Sequence, residues 1–428
     1  MSSPLKAIQV EVTNRCNFKC VYCIRNFWKI KEKEMDFVVY KKLSDSFSGL
    51  EKVVLYGLGE PLTHTKFLEM VHLTRSKLGD SGQIVFSTNG SLLTEKVAHR
   101  LIVEDGVNKI AFSLDTPDHT SLEKLRVGSQ EAEIIRNLKN VANLKQKAKL
   151  PFSLSIEVVL MKDNYKDLVS LVEFASENQV DEILVTNVVS YSNDFMNRQL
   201  FMTYSKQSYE LVENIIDQGW QIIYNSVISV YSKSHTGRYD ERSLRAFERI
   251  QAKAREKGYW LNLPLILDSQ DRISEIEKVN DVFKTVTKMA RRNNIKLELP
   301  KLLGDKKARS CPYIVSHTMV VRADGKVAPC LEFMYPHKEF VNTHLKDVDE
   351  VLFGDINEDS VFNIWGNDQY EKFRNLRQFK NDTIPWCGDC PYSTLNCFYV
   401  RSNKVDCLSN TNSCSECLYS IGVAKCAI

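Results

Sequence analysis

Residues 7–23 read AIQVEVTNRCNFKCVYC, a strand-like apolar run that leads directly into three cysteines spaced CxxxCxxC. Similar runs, rich in β-branched and aromatic residues, recur at 52–59, 83–90, 109–115, 152–160 and 182–189. Helical patterns such as MDFVVYKKLSDSF lie between them. Six strand–helix alternations predict an α/β fold with a parallel sheet covered by helices. Because a closed barrel of this type needs eight such units, we expect a partial (β/α)6 TIM-like barrel.

The remaining chain divides into two further parts. Residues 240–258 and 271–294 have a helical period and many charges, which we interpret as a solvated face, with a lid over the substrate as the alternative. From about residue 301 onward, cysteines stand among short strand and turn signals. The predicted domains are therefore a barrel over 1–220, a helical insertion over 221–300 and a cysteine-rich domain over 301–428.

Composition excludes several classes of function. The formal charge of +3 on 428 residues gives no sign of a basic nucleic-acid surface. No apolar run approaches the roughly 18 residues that span a bilayer, and the first residues lack a signal-peptide core. We therefore predict a cytoplasmic protein without nucleic-acid or membrane partners.

Twelve cysteines in a reducing compartment indicate metal binding or catalysis, because disulfides are rare there. Three of them, Cys16, Cys20 and Cys23, follow the first strand, at the end of the barrel where loops carry the chemistry. Three cysteine ligands on a four-iron cluster leave one iron open to a reactant. A zinc site with a fourth ligand is the alternative, but it would be closed. This spacing in this position resembles the radical S-adenosylmethionine (SAM) superfamily.

The resemblance extends to motifs at successive strand ends. The stretch LYGLGEPL (55–62) resembles the family's GGEP element, which receives the amino group of SAM, with Leu58 in place of the first glycine. STNG (87–90) and SLD (113–115) end the next two strands, and LRVGSQ (125–130) resembles the stretch whose arginine contacts the SAM carboxylate. The resemblance thus implies a SAM site that includes Tyr22, Gly57, Gly59, Glu60, Pro61, Asn89, Ser113, Asp115 and Arg126. Glu157 is a weaker candidate, because an acidic residue in an apolar strand needs a partner when buried.

The cysteine-rich tail resembles the SPASM or twitch domain of the same superfamily. Cys311 begins CPYIVSHTMVVRADGKVAPC, which ends at Cys330, and CGDC supplies Cys387 and Cys390. In the twitch form, the corresponding four cysteines bind one [4Fe–4S] cluster. Five more cysteines follow here, so that the tail holds enough for two clusters and one left over: Cys397, Cys407, Cys414, Cys417 and Cys426.

The tail departs from the usual CxxCx5CxxxC run, which leaves its ligand sets open. All nine tail cysteines are candidate metal ligands. A zinc site built from Cys397, Cys407, Cys414 and Cys417 is an alternative to the second cluster.

The resemblance implies an enzyme, an oxidoreductase or maturase, that uses SAM and [4Fe–4S] clusters. It implies reductive cleavage of SAM to a 5′-deoxyadenosyl radical, hydrogen abstraction from a small-molecule or peptide substrate, and oxidation of the substrate radical by one or two auxiliary clusters. A ferredoxin- or flavodoxin-like partner would exchange electrons. We favour small-molecule dehydrogenation or peptide modification over maturation of a tungsten-enzyme cofactor. The alternative is an iron–sulfur electron-transfer or zinc-stabilised interaction protein, and no residue is singled out as catalytic base.

Overall fold

The computed structural model describes residues 4–148, 151–213, 241–394 and 396–426. Sixteen strands occur in this part of the chain. They are β1 Ala7–Val10, β2 Lys19–Cys20, β3 Lys52–Val54, β4 Gln83–Thr88, β5 Lys109–Ser113, β6 Arg126–Val127, β7 Ser153–Leu160, β8 Glu182–Asn187, β9 Met202–Ser205, β10 Lys296–Glu298, β11 Leu303–Gly304, β12 Thr318–Val321, β13 Lys326–Ala328, β14 His337–Val341, β15 His344–Val348 and β16 Gly354–Asp355.

Helices cover the sheet and connect its strands. They are α1 Phe37–Ser44, α2 Phe67–Leu78, α3 Glu95–His99, α4 His119–Leu125, α5 Glu131–Ala148, α6 Leu168–Glu177, α7 Asn193–Met196, α8 described over 206–213, α9 Glu241–Glu256, α10 Leu263–Asp268, α11 Gln270–Arg292, α12 Pro312–Val315, α13 Val361–Gly366, α14 Asp368–Gln378 and α15 Lys380–Thr383. Short polar side chains begin several of them: Asp36 accepts a hydrogen bond from the amide of Val38, and Asp118 accepts one from that of Ser121.

One ten-stranded sheet organises the molecule, in the order β10-β8-β7-β5-β4-β3-β1-β12-β13-β16. The pairs from β10 to β12 are all parallel, whereas β13 and β16 join antiparallel. In the described residues, the two outermost strands, β10 and β16, do not pair with each other, so the sheet is an open barrel. The predicted α/β partial barrel is confirmed, and its six predicted strands are β1, β3, β4, β5, β7 and β8.

The sheet continues across both predicted domain boundaries. Strand β10, from the end of the predicted insertion, pairs with β8, and α11 packs against α6 like a further barrel helix. Strand β12, from the predicted tail domain, pairs with β1 in the register Ala7 to Thr318. Residues 221–240 of the predicted insertion lie outside the described residues. The tail is thus built onto the edge of the barrel sheet, and the proposed boundaries remain predictions.

One large apolar cluster joins the barrel to the tail. It includes Ile8 and Phe112 from the barrel strands together with Met319, Val327 and Trp365 from the tail. Strands covered on both faces are expected to be apolar throughout, as β1 and β12 are buried at every position. This shared core holds the carboxyl ends of the barrel strands against the tail.

Candidate functional site

The cysteine loop leaves the carboxyl end of β1 and is braced by the short strand β2. Cys20 lies opposite Arg126 in the antiparallel pair of β2 with β6. The amide of Phe18 lies 3.4 Å from Cys16 Sγ, and the amide of Cys23 donates to the carbonyl of Cys20 at 3.0 Å. Burial raises the pKa of all three thiols, that of Cys20 to about 12. Metal binding at these positions therefore has to displace protons.

The glycine motif packs on the loop that carries these cysteines. A Cβ on Gly59 would lie 2.3 Å from the carbonyl oxygen of Thr13 and 2.5 Å from that of Arg15. The amide of Glu60 also donates to the carbonyl of Arg15 at 2.7 Å. Gly57 is equally constrained, because its Cβ would lie 2.4 Å from the Glu11 side chain. Both glycines therefore permit a close backbone approach that fixes the loop just before Cys16.

The Glu60 carboxylate ties this motif to the end of β4. Its oxygens accept hydrogen bonds from the Thr88 hydroxyl at 2.8 Å, the Asn89 amide at 2.6 Å and the Leu62 amide at 3.2 Å. Burial raises its pKa to about 7 despite these bonds. Pro61 follows as the first residue of a short 3₁₀ turn. Glu60 thus supports the neighbouring loops through its side chain, and its predicted part in SAM binding stays a prediction.

Asn89 connects β4 to the cysteine loop. Its Nδ2 donates to Asn17 Oδ1 at 2.8 Å and lies 3.9 Å from Cys16 Sγ, while its Oδ1 accepts from the amide and hydroxyl of Ser91. The structure therefore brings Asn89 together with the first cysteine, as its place at a strand end predicts.

Asp115 and Arg126 form a buried bidentate ion pair. Arg126 donates through Nε to Asp115 Oδ2 at 2.8 Å and through Nη2 to Oδ1 at 3.0 Å. The Tyr22 hydroxyl donates to Oδ2 at 2.6 Å, and the Val159 amide donates to Oδ1 at 2.9 Å. This geometry differs from the expected one: Asp115 is fully buried and satisfied by protein groups, and the bidentate face of Arg126 is turned to it. Asp115 therefore orients Arg126 and Tyr22, which leaves Nη1 of Arg126 outside the pair.

A cavity opens at the carboxyl ends of β5, β7 and β8, and we name it the barrel cavity. Its volume is about 560 Å³, and it is lined from the barrel by Tyr56, Ser113, Arg126, Glu157, Val158, Val159, Leu184 and Thr186 and from the tail by Leu331, Tyr419, Lys425 and Cys426. Glu157 lies beside Ser113 in the β5–β7 register and accepts a hydrogen bond from the Ser87 hydroxyl at 2.6 Å. Burial raises its pKa. Ser113, Arg126 and Glu157 thus share one cavity.

Residues 423–426 of the tail are held over the barrel by two strand-end side chains. Asn187 Nδ2 donates to the carbonyl of Val423 at 2.9 Å, and the amide of Lys425 donates to Thr186 Oγ1 at 2.9 Å. Asn187, which donates, and Thr186, which accepts, both lie at the carboxyl end of β8. The tail therefore completes the wall of the barrel cavity.

The nine tail cysteines sort into two groups by the cavities they line. The inner cavity, of about 710 Å³, is lined by Cys311, Cys330, Cys414, Cys417 and Cys426. The outer cavity, of about 1050 Å³, is lined by Cys387, Cys390, Cys397 and Cys407. All nine are free of disulfides. Leu331, Tyr419 and Cys426 line both the inner cavity and the barrel cavity, so the inner group adjoins the barrel.

This sorting bears on two expectations, which stay predictions. The four cysteines that resemble the twitch set are divided, because Cys311 and Cys330 line the inner cavity and Cys387 and Cys390 line the outer cavity. The alternative zinc site is divided as well, since Cys397 and Cys407 are outer whereas Cys414 and Cys417 are inner. The physical reason is the path of the chain, which runs from the inner cavity to the outer one and back.

The inner group is surrounded by buried charge. Lys346, Arg377 and Lys380 line its cavity together with Glu332 and Glu339. Burial disfavours the Cys414 thiolate, but Arg377, Lys380 and Lys346 outweigh burial and lower its pKa. A buried thiol beside three cations is suited to act as a thiolate ligand.

Several of these side chains were not predicted from the sequence. Arg377 stands in a charged helical stretch, where nothing distinguishes it from surface residues. Glu11 is fully buried and accepts from the amide of Leu58 and the hydroxyl of Tyr335. A signal for Glu11 did exist, because an acidic residue in an apolar strand needs a partner, the argument that singled out Glu157.

The cysteine sites provide the thiolate ligands that [4Fe–4S] clusters use. Among the described residues, no three His, Cys, Asp or Glu side chains stand in the geometry of one metal ion. Amide and guanidinium donors already face Cys16 and Cys414, which favours sulfur in its anionic, ligating form.

Comparison with known families identifies the class of protein. Residues 10–175 match the radical SAM superfamily, and residues 311–391 match SPASM, an iron–sulfur cluster-binding domain. The chain therefore carries a radical SAM domain and, C-terminal to it, a SPASM iron–sulfur domain. These domains imply [4Fe–4S] clusters and SAM as its cofactors, as predicted. In the part of the chain that the structure describes, no helix has the length and apolar composition needed to cross a membrane.

Two curated proteins are similar to this chain over very different lengths. The chain is 26% identical over 430 residues to the tungsten-containing aldehyde ferredoxin oxidoreductase cofactor-modifying protein of Pyrococcus furiosus, covering 99% of this chain and 98% of that protein. It is 29% identical to a GTP 3′,8-cyclase of Campylobacter jejuni over 182 residues, 40% of this chain and about half, 52%, of the cyclase. The first match runs the whole length of both chains, whereas the second is partial.

Solved structures share the fold. Streptococcus suis SuiB bound to the precursor peptide SuiA has a TM-score of 0.54 at 14% identity, over 97% of this chain and 76% of that chain. The enzyme anSMEcpe with bound AdoMet has a TM-score of 0.50 at 16% identity, over 96% and 90%. At these identities the likeness establishes the fold alone.

Proposed function

We propose that this chain is a radical SAM enzyme that abstracts a hydrogen atom from a cofactor or cofactor precursor and oxidises the resulting substrate radical. The observation that carries the chemistry is the convergence of the cysteine loop, the glycine motif and Arg126 at one edge of the sheet. A cavity lies beside them, and the cysteine-rich tail forms part of its wall. The observation that favours a cofactor as substrate is the end-to-end match with a cofactor-modifying protein. This reverses the preference that the sequence alone suggests.

We assign the tail cysteines to clusters by the cavities that they line. Cys16, Cys20 and Cys23 would hold the SAM-cleaving cluster. Cys387, Cys390, Cys397 and Cys407 would hold the outer auxiliary cluster. The inner auxiliary cluster would use Cys311, Cys330, Cys414 and Cys417. Cys426 is the remaining cysteine, and it alone among the nine also lines the barrel cavity.

When bound, SAM and the clusters supply reductive cleavage to a 5′-deoxyadenosyl radical, hydrogen abstraction and acceptance of the substrate's electron. The protein's own residues position SAM and form the walls of the barrel cavity. Asp115 holds Arg126 so that Nη1 is left for the carboxylate of SAM, while Ser113 and Glu157 present polar atoms to the same cavity. Tyr56, Leu331 and Tyr419 form part of its wall, and a wall that limits water at this site protects a reactive radical.

The first experiment is anaerobic reconstitution with iron and sulfide, followed by addition of SAM and dithionite. We expect about twelve irons per chain, from three four-iron clusters, and formation of 5′-deoxyadenosine. Iron uptake without deoxyadenosine, with or without substrate, would contradict the proposal and favour an electron-transfer protein.

The substrate class is tested in the same assay. The tungsten cofactor released from an aldehyde ferredoxin oxidoreductase is added in one reaction. GTP, which the name of the cyclase relative gives as substrate, is added in a matched control. Deoxyadenosine above the substrate-free rate, with loss of hydrogen from the cofactor by mass spectrometry, supports a cofactor substrate. Stimulation by GTP alone argues against it.

A further inference from the structure

Arg377 lies on α14 and directs its guanidinium at a cysteine of the inner cavity. Its Nε donates to Cys414 Sγ at 3.2 Å, its Nη1 donates to the carbonyl of Phe373 at 3.0 Å, and its Nη2 donates to the carbonyl of Asn412. The guanidinium carbon also stands 3.3 Å from the centroid of the Phe373 ring. All three nitrogens are engaged, so the side chain is held in one orientation.

Arg377 makes no ion pair within 4.0 Å in the described residues, although Glu332 and Glu339 line the same cavity. The residue is 2% exposed. A buried cation without a counter-charge is costly, and a cation hydrogen-bonded to sulfur is stabilised when that sulfur is anionic. The position of Arg377 is therefore explained by a negative group at the inner cysteines.

The outer cavity lacks this arrangement. Its charged lining residues are Lys306, Asp382 and Asp406, so carboxylates outnumber cations there. Each group has one buried cysteine, Cys387 in the outer group and Cys414 in the inner one, but only the outer group has an exposed member, Cys407. The two cysteine groups thus differ both in local charge and in contact with water.

We infer that Arg377 is a positioning residue that raises the reduction potential of the inner auxiliary cluster, so that the inner site is the favoured point of electron entry from the barrel cavity. This inference rests on the proposed function, because it requires auxiliary clusters at both tail sites. Reduction adds one negative charge to a cluster, and a cation hydrogen-bonded to a ligand sulfur stabilises the more negative state. The substrate radical loses one electron, the inner site gains it, and no bond to Arg377 forms or breaks.

The placement of the cavities agrees with electron transfer from the barrel cavity to the inner group. Leu331, Tyr419 and Cys426 form a wall common to the barrel and inner cavities. The outer cavity instead has the exposed side chains of Tyr392, Tyr399 and Leu408 at its edge. An electron that leaves the barrel cavity therefore meets the inner group first.

The experiment uses the full chain with Cys16, Cys20 and Cys23 replaced by Ala, so that only the tail clusters contribute. After reconstitution, a potentiometric titration followed by electron paramagnetic resonance gives two midpoints. In Arg377→Met we expect one midpoint to fall, so that the ratio of reduced to oxidised cluster at a fixed potential drops at least about tenfold, or about 59 mV for one electron. The other midpoint should not move.

Arg374→Met is the matched control. Arg374 is buried on the same helix, one turn earlier, and stacks on Trp365 and Tyr370, and within the described residues it makes no hydrogen bond to a cysteine. Arg374 lines a second cavity together with Cys311, so the inner midpoint should fall in this variant by clearly less than in Arg377→Met, because no hydrogen bond from Arg374 reaches a cysteine in the described residues.

Iron content separates the possible outcomes. Where Arg377→Met takes up less iron, Arg377→Gln is titrated instead, since it keeps a donor toward Cys414 without the charge. Unchanged midpoints in a fully loaded Arg377 variant, or an equal shift in Arg374→Met, overturn the inference. Absence of tail iron from the chain with native Arg377 would instead contradict the proposed function.

Discussion

The barrel edge and the tail use cysteine in opposite ways. At the barrel edge, Cys16, Cys20 and Cys23 are close in sequence and stand on one short loop after β1. In the tail, Cys311 and Cys330 share a cavity with Cys414, Cys417 and Cys426, which follow Cys330 by 84 residues or more, while the four cysteines from Cys387 to Cys407 line another cavity. A local site is fixed by one strand and one loop, whereas a non-local site depends on how the whole domain folds. Substitutions in the barrel-edge site and in the tail sites should therefore have different effects on metal binding.

The strongest test of this contrast removes the local site alone. Replacing Cys16, Cys20 and Cys23 by Ala should abolish deoxyadenosine formation and lower iron from about twelve to about eight per chain, because the tail does not use these ligands. Iron analysis and the SAM cleavage assay measure both effects. Retained cleavage would show that SAM is cleaved elsewhere, and loss of nearly all iron would show that the two regions assemble as one unit.

A second test divides the tail. Cys397→Ala with Cys407→Ala and Cys414→Ala with Cys417→Ala should each remove about four irons, and the four changes together should remove about eight. The reason is that the two pairs line different cavities. Iron content and electron paramagnetic resonance spectra distinguish the variants. If either pair removes the same metal as all four together, one site such as the alternative zinc site is present instead.

A third test acts on the support of the local site. Gly59→Ala places a methyl group against the carbonyls of Thr13 and Arg15, and overpacking of this kind costs about 1–3 kcal/mol. Denaturant unfolding of the protein before and after reconstitution measures the loss.

Gly366→Ala is its control, because a Cβ there meets nothing within 4 Å. It should change the free energy of unfolding by less than about 0.5 kcal/mol, as surface changes do. Equal losses in both variants would contradict the close packing of Gly59 as the cause.

The smallest effect on iron content is expected from replacing Cys426, the tail cysteine that is assigned to no cluster. Cys426→Ala should retain about twelve irons per chain, because four other thiols line the inner cavity. Iron and sulfide analysis provides the measurement. A loss of about four irons would make Cys426 a ligand and exclude one of Cys311, Cys330, Cys414 and Cys417.

Local patterns predicted the barrel well. The apolar runs at 7–13, 83–90 and 152–160 contain β1, β4 and β7, because strands buried on both faces leave a continuous apolar signal. Strands β10 and β12 gave no comparable signal. They are three and four residues long, and what makes them part of the sheet is their pairing with β8 and β1, which a local pattern does not contain.

The sequence predicted which strand-end residues lie near one another but not how they contact each other. Asn89, Ser113 and Arg126 lie at one edge of the sheet, and their part in SAM binding stays a prediction. That Asp115 occupies the bidentate face of Arg126 depends on the approach of β6 to β2, which follows from tertiary packing. In the tail, loops carry the cysteines, so spacing alone could not decide between the two cavities.

The contacts of residues 423–426 with β8 have a consequence for how the protein is made. The barrel strands leave the ribosome more than two hundred residues before Val423 and Lys425, which complete the cavity wall through Asn187 and Thr186. Contacts of such long sequence separation form late and slowly. This part of the cavity wall therefore forms only after residues 423–426 have been synthesised, and until then the barrel cavity is accessible to clusters and solvent from that side.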